Sequence, residues 1–389
     1  MFYYGAGSLR DVFYRYMPPG EARVRPVYPE NASNQKAGPR MAHDFSIPVL
    51  GQPTVQTPIL LSKITDDFIA NYVEETDYIL YDIVVKPDEP LGARNRSELM
   101  ERAGPREKIF FDPSDVHAAI ITCGGLCPGL NDVIRAIVMC LWYRYGVRRI
   151  SGIRYGYRGL LEEFNIPLRT LVPDDVADIH RIGGTMLGSS RGHGERTKEI
   201  VDTLEAQKVN MLFTIGGDGT QRGALALAEE VKRRGGDIAM VGIPKTIDND
   251  VGFIERSFGF ETAVSYAVEA VSSAHVEAHD TVNGIGIVRV MGRESGYIAT
   301  HTALAINDVN FVCIPEVPFD LQGENGLLAH LERRLAHRNH AVILAAEGAG
   351  QDLMNRSDAF DASGNKKLGN IGFFLRAALV HHFKKAGRE

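Results

Sequence analysis

From Val116 onward the chain repeats one pattern: a short apolar run, a turn punctuated by glycine or charge, then a segment with helical periodicity. The apolar runs fall at 116–122, 209–215, 238–243, 283–290, 310–314 and 340–346. Runs this short and unbroken suit strands buried on both faces, not helices. After the first run, Leu130, Val133, Ile134, Ile137, Val138 and Leu141 recur at the spacing of one helical face. Helices are expected again at about 220–234, where Gly235-Gly236 supplies a stop, and at 261–277. Strand, turn, helix and strand in succession predict βαβ units. The fold class is therefore α/β, with Rossmann-like three-layer α/β/α domains and mainly parallel sheets. Ligands of such folds bind outside the carboxyl ends of the strands, so the residues just after each run are the ones to read for chemistry.

Residues 1–112 lack this pattern. Prolines are frequent, apolar periodicity is weak, and polar stretches such as Asn31–Lys36 intervene, so an irregular N-terminal extension is expected there. The net charge of -6 gives no electrostatic footprint for nucleic acid. The longest apolar runs, such as Ala341–Ala346, are too short to span a bilayer, and the start lacks the charged and apolar regions of a secretory signal. Four cysteines in 389 residues argue against a disulfide scaffold and fit a reducing compartment. Cys123 and Cys127 have no second pair or nearby histidine to complete a zinc site, and read as small apolar residues at a strand end. His381-His382 reads as helix surface.

The turns after the runs carry unusual residues. Gly124–Asn131 is a glycine-rich turn opening a helix, which offers free N–H groups and a positive dipole end to an anion. Packing of helix on sheet explains such a turn equally well. Gly183–Gly192 adds serines and Arg191, which are phosphate donors, or else forms a surface loop. Gly216-Gly217-Asp218-Gly219-Thr220 is sharper: its glycines admit a polyphosphate, and the Asp218 carboxylate suits Mg²⁺ held against it. In Pro244–Asp250 two carboxylates, Asp248 and Asp250, stand two residues apart, and an extended segment would point them the same way. Met291-Gly292-Arg293 follows the run at 283–290, and Glu347 ends the run at 340–346. An arginine so placed suits a phosphoryl group, and a carboxylate suits sugar hydroxyls.

Together and in this order, these elements resemble the phosphofructokinase family from about Ile120 to Gly348, and more weakly beyond. The most specific parts are Gly-Gly-Asp-Gly-Thr, Thr-Ile-Asp-Asn-Asp and Met-Gly-Arg. The resemblance implies two Rossmann-like domains, 113–250 for nucleotide and 251–389 for fructose 6-phosphate. It also implies transfer of the γ-phosphoryl group of MgATP to the sugar 1-hydroxyl. On that resemblance Asp248 takes the hydroxyl proton, with Arg293, Thr246 and Lys245 completing the catalytic set. Asp218 binds Mg²⁺, with Asp250 assisting through water. Gly125, Arg191, Gly217, Gly219 and Thr220 meet the nucleotide phosphates. Thr246, Asp248, Asp250, Met291, Gly292, Arg293 and Glu347 meet the sugar phosphate. A homotetramer in the cytoplasm is implied, or a glycosomal one if the native C-terminus carries a targeting signal.

Two residues bear on the phosphoryl donor. In this family the residue after the metal aspartate is glycine in ATP users and usually aspartate in pyrophosphate users, and here it is Gly219. Lys245 matches pyrophosphate users instead. The combination resembles the ATP-dependent branch of plants, trypanosomatid protists and some bacteria. Two departures stand out. Gly284 replaces an arginine that many bacterial relatives extend to a neighbouring subunit's sugar phosphate. The family also continues past Glu389 with further sugar-phosphate ligands, so the resemblance implies a fragment or a shortened product. The rival readings are a pyrophosphate-dependent enzyme, a truncated subunit that binds nucleotide without turnover, and another kinase with Gly-Gly-Asp-Gly-Thr, such as an NAD or diacylglycerol kinase. A dinucleotide-dependent dehydrogenase is disfavoured because Gly124–Gly129 lacks the G-x-G-x-x-G spacing.

Overall fold

The first apolar run forms β1 (His117–Thr122), buried along its whole length. Alternate residues serve opposite faces. Ala118 and Ile120 pack with Leu130, Ile134 and Val138 of helix α1 (Leu130–Met139). Ala119 and Ile121 pack with Ile200, Val201 and Leu204 of α2 (Thr197–Ala206), and with Leu227 and Val231 of α3 (Asp218–Arg234). Each fully buried aliphatic side chain of this kind contributes roughly 1.5–3 kcal/mol, which is why the run carries no polar alternation.

This computed structural model describes residues 44–64, 67–81, 98–354, 359–360 and 366–387. The chain divides into two units, Met1–Ser46 with Asp82–Met100, and Ile47–Tyr81 with Glu101–Glu389. The stretch expected to be one irregular extension is therefore split. Val55–Gln56 pairs antiparallel with Lys108–Ile109, and both lie in the unit that holds the sheets. Residues 1–43 and 82–97 of that stretch lie outside the described residues.

The first sheet adds β2 (Arg149–Ile153), β3 (Arg169–Thr170), β4 (Met211–Gly216) and β5 (Ala239–Pro244). Its order is β3-β2-β1-β4-β5, parallel except for β3 against β2. The strand order reverses between β1 and β4, which opens a crevice between the loops that leave them. The second sheet comprises β6 (Gly284–Val290), β7 (Phe311–Cys313) and β8 (His340–Ala346), in the order β6-β8-β7 and all parallel. Val342, Leu344 and Ala346 face Val271 of α4 (Phe260–His279) and Ala299 of α5 (Tyr297–Ala305). Ala341, Ile343 and Ala345 face α6 (Leu327–Arg338) and α7 (Ile371–Lys385). No helix among the described residues is long and apolar enough to cross a membrane.

All six apolar runs are strands, in two mainly parallel sheets covered by helices on both faces. Strand β2 has no comparable run because Arg149, Ser151 and Gly152 interrupt it. Those residues have local uses. Ser151 is buried and lies 2.9 Å from His117 Nε2, and a Cβ on Gly152 would come within 2.3 Å of Leu187.

Candidate active site

The loop after β1 is held open by its neighbours. Gly124 donates its N–H to Ser190 O at 2.9 Å, and Ser189 Oγ donates back to Gly124 O at 2.7 Å. Asn131 ties the same loops further along, donating to Ile182 O and accepting from Met186 N–H. The Gly183–Gly192 segment is thus a braced wall of the crevice. A Cβ on Gly125 would lie 3.7 Å from Arg191 Nη2, which places this guanidinium against the β1 loop.

Lys245 closes the crevice floor. Its N–H donates to Gly216 O at 2.9 Å and its buried ammonium donates to Gly125 O at 2.8 Å. Burial pushes the Lys245 pKa down; the facing Cys127 and Cys123 oppose the shift and Arg191 adds to it. Gly125, Arg191, Gly217 and Lys245 therefore converge where β1, β4 and β5 end. Asp218 is the first residue of α3, its carboxylate 71% exposed and paired with Arg222 at 3.0 Å. Gly219 follows it, and a Cβ there would meet no atom within 4 Å. Thr220 is placed differently. It is buried beneath Gly216, its carbonyl accepts from Tyr157 OH at 2.8 Å, and its hydroxyl lies on the Cys123 thiol. Its position is that of a support for the turn.

The segment after β5 is not extended, which corrects the expectation for Asp248 and Asp250. It turns at Ile247–Asp248, and Asn249 takes φ 55°. Thr246 Oγ1 donates to Asp250, while Asn249 accepts from Ser257 N–H at 2.7 Å and donates to Glu255 O at 3.0 Å. These side-chain bonds satisfy the turn locally and outweigh strand extension.

Asp248 sits apart from that network. Its Oδ2 accepts from Arg293 N–H at 3.3 Å, and its backbone carbonyl accepts from Ser295 Oγ at 2.9 Å. Its Oδ1 is buried with no partner among the described residues. Burial pushes the carboxyl pKa up; the Arg293 N–H opposes this, and the charges of Asp250 and Glu347 add to it. Asp248, Asp250, Arg293 and Glu347 are therefore one electrostatic neighbourhood. Glu347 follows β8, its N–H bonded to Val290 O at 2.9 Å and its carboxylate 3.8 Å from Arg289. Met291 is half-exposed, and the Arg293 guanidinium donates to Lys366 O at 2.9 and 3.2 Å. Ser295, which holds the Asp248 backbone, was missed by sequence reasoning. Its only signal is its place two residues after Arg293.

Gly348 fixes how closely these loops meet. Its N–H donates to Gly292 O at 3.0 Å, and a Cβ on it would stand 1.7 Å from Arg293 O. Gly348→Ala must displace the Arg293 backbone that supports Asp248. A loss of about 3 kcal/mol or more is expected, at the upper end for overpacking. Urea unfolding measures it, and an unchanged midpoint would show that the loops do not approach this closely.

The chain matches the profile of the family described as Phosphofructokinase over residues 117–388, a span that holds every site residue described above. The chain belongs to the phosphofructokinase family. It is 52% identical, over 88% of its length and 77% of the relative's, to a Borreliella burgdorferi protein named ATP-dependent 6-phosphofructokinase. It is also 52% identical, over 81% of its length and 64% of the relative's, to ATP-dependent 6-phosphofructokinase 7 of Arabidopsis thaliana. A solved pyrophosphate-dependent phosphofructokinase from Nitrosospira multiformis shares the fold, with TM-score 0.59 and 20% identity over 70% of this chain and 67% of that one. The resemblance read from the motifs is borne out, including its link to the plant ATP-dependent branch. Of the two residues that the resemblance reads for the donor, Gly219 stands beside open space and Lys245 bridges to Gly125.

Proposed function

We infer that this chain acts as an ATP-dependent 6-phosphofructokinase, moving the γ-phosphoryl group of ATP to the 1-hydroxyl of fructose 6-phosphate. The observation that carries the chemistry is Asp248 Oδ1, buried with no partner among the described residues. In the transfer the sugar O1–P bond forms as the bond from the γ-phosphorus to the bridging oxygen of ADP breaks, and the hydroxyl proton passes to Asp248. A raised pKa makes the ionised carboxylate a stronger proton acceptor, while Arg293 N–H on Oδ2 fixes its orientation. Phosphoryl transfer leaves little else for the protein beyond positioning and charge stabilisation. Arg191 and Lys245 supply positive charge at the nucleotide side of the crevice. Glu347 supplies acceptors for sugar hydroxyls.

The residues present fit Mg²⁺ arriving on the nucleotide. Among the described residues no three potential ligands form a protein-only site. Asp218 offers one exposed carboxylate where the phosphates would lie, and Mg²⁺ ordinarily takes one or two carboxylates and fills its shell with phosphate oxygens and water. When bound, the ion neutralises phosphate charge. The family resemblance further supports a homotetramer in the cytoplasm, which sizing by light scattering and cell fractionation test.

Product analysis tests the reaction. With fructose 6-phosphate and MgATP, phosphorus NMR is expected to show one ADP for each fructose 1,6-bisphosphate, and chelation of Mg²⁺ is expected to stop both. ADP formed without the bisphosphate would overturn the acceptor assignment.

A further inference from the structure

The loop between β6 and α5 grips Asp248 at two points. Arg293 N–H reaches the carboxylate at 3.3 Å, and two residues later Ser295 Oγ donates to the Asp248 carbonyl at 2.9 Å. A tight turn makes this possible. Gly292 takes φ 124°, and a Cβ on it would stand 2.2 Å from Ser295 O. Glycine lets the loop double back this closely, which brings an N–H and a hydroxyl from one tripeptide to the same aspartate.

The Ser295 hydroxyl is itself held. It is buried, and it accepts from Tyr297 N–H at 3.3 Å, one of the free N–H groups in the first turn of α5. The adjacent Gly296 N–H donates to Glu316 Oε1 at 2.7 Å, in the turn that follows β7. Gly348 N–H on Gly292 O fastens the loop to β8. The hydroxyl is thus fixed from the side of the second sheet, and the Asp248 carbonyl meets it from the other. A serine hydroxyl can donate one bond while accepting another, and both are used here.

The peptide that Ser295 holds is the one that sets the turn. The Asp248 carbonyl belongs to the peptide joining Asp248 to Asn249, and Asn249 is left-handed at φ 55°. Rotation of that peptide changes ψ of Asp248 and φ of Asn249 together, which tilts the carboxylate relative to Arg293 N–H. Without the hydroxyl, the Asp248 carbonyl and Tyr297 N–H both lose a partner, and peptide rotation is the movement that finds the carbonyl a new one. Ser257 braces the other side of the turn, through its N–H on Asn249 Oδ1 and its hydroxyl on Thr246 O. Neither of those bonds reaches the Asp248 carbonyl.

We propose that Ser295 is a positioning residue for phosphoryl transfer: its hydroxyl fixes the Asp248–Asn249 peptide and thereby the aim of the carboxylate at the sugar 1-hydroxyl. The proposal rests on Asp248 as the base of the reaction, and in this role Ser295 acts only through Asp248.

The test is a double-mutant cycle on the full chain, with initial rates at varied fructose 6-phosphate and saturating MgATP. Ser295→Ala should lower kcat about 10–100-fold, since misplacing a reacting group by about 1 Å reaches that range, and leave the KM for fructose 6-phosphate within about 2-fold. In the Asp248→Asn background the same change should lower kcat less than about 2-fold, because groups that act as a unit are not additive. Ser295→Cys keeps the size with a weaker donor and should fall between parent and alanine, and it carries the cycle should the alanine variant fail to fold. Ser151→Ala is the control. It removes another buried serine hydroxyl, 2.9 Å from His117 Nε2, and should lower stability without changing kcat. Circular dichroism checks that each variant is folded. An unchanged kcat in Ser295→Ala, an equal loss in both backgrounds, or a higher KM with kcat intact would each overturn the proposal while leaving the kinase reading in place. If Asp248→Asn itself keeps full kcat, the base assignment fails and the proposal falls with it.

Discussion

Asp248→Asn lowers kcat about 10²–10⁴-fold, the range for loss of a positioned general base. The KM for fructose 6-phosphate should move little, because the amide keeps the shape and can still accept from Arg293 N–H. Among the described residues the proton has no second destination of comparable placement. Asp250 is engaged by Thr246, and Glu347 faces Arg289. Two further readouts separate a base from a structural residue. Burial raises the Asp248 pKa above its ordinary 3.8, so activity of the parent should fall as pH drops through that raised value, on a limb above the ordinary aspartate range. The sign for stability is opposite. A folded-state pKa above the unfolded value contributes stability below 3.8 that is lost as pH rises through the folded pKa. The asparagine variant lacks that loss and should unfold no more easily than the parent at neutral pH. A variant both inactive and strongly destabilised would instead make Asp248 a structural residue.

Gly219→Asp should cost about 10²-fold in kcat/KM for MgATP, with folding intact. The space is there, since a Cβ at this position meets no atom within 4 Å. A carboxylate in the first turn of α3 also suits the helix dipole. The harm falls on the ligand: a second carboxylate beside Asp218 faces polyphosphate, and like-charge juxtaposition costs several kcal/mol, where about 2.7 kcal/mol is 10²-fold. Gly219→Ala is the control and should stay close to the parent. If alanine and aspartate were equally damaging, bulk and not charge would be responsible, and Gly219 would carry no information about the donor.

Much of this was legible because parallel strands covered on both faces leave unbroken apolar runs. The six runs marked six strands, and the chemistry lay after them because that is where the βα loops open. The turn through Thr246–Asp250 was not legible. Its shape depends on Asn249 reaching Ser257 and Glu255, bonds that no periodicity reports. Nor was the burial of Thr220, whose carbonyl accepts from Tyr157 in the short helical turn after β2. The Arg293 contact with Lys366 is tertiary in the same way.

The central claim, phosphoryl transfer from ATP to fructose 6-phosphate, is tested most directly by initial rates with that sugar phosphate and a panel of donors. MgATP should support turnover that falls about 10²-fold in kcat/KM in Gly219→Asp, and magnesium pyrophosphate should support none. Turnover with pyrophosphate and not with ATP would contradict the account, placing Lys245 above Gly219 as the residue that decides the donor.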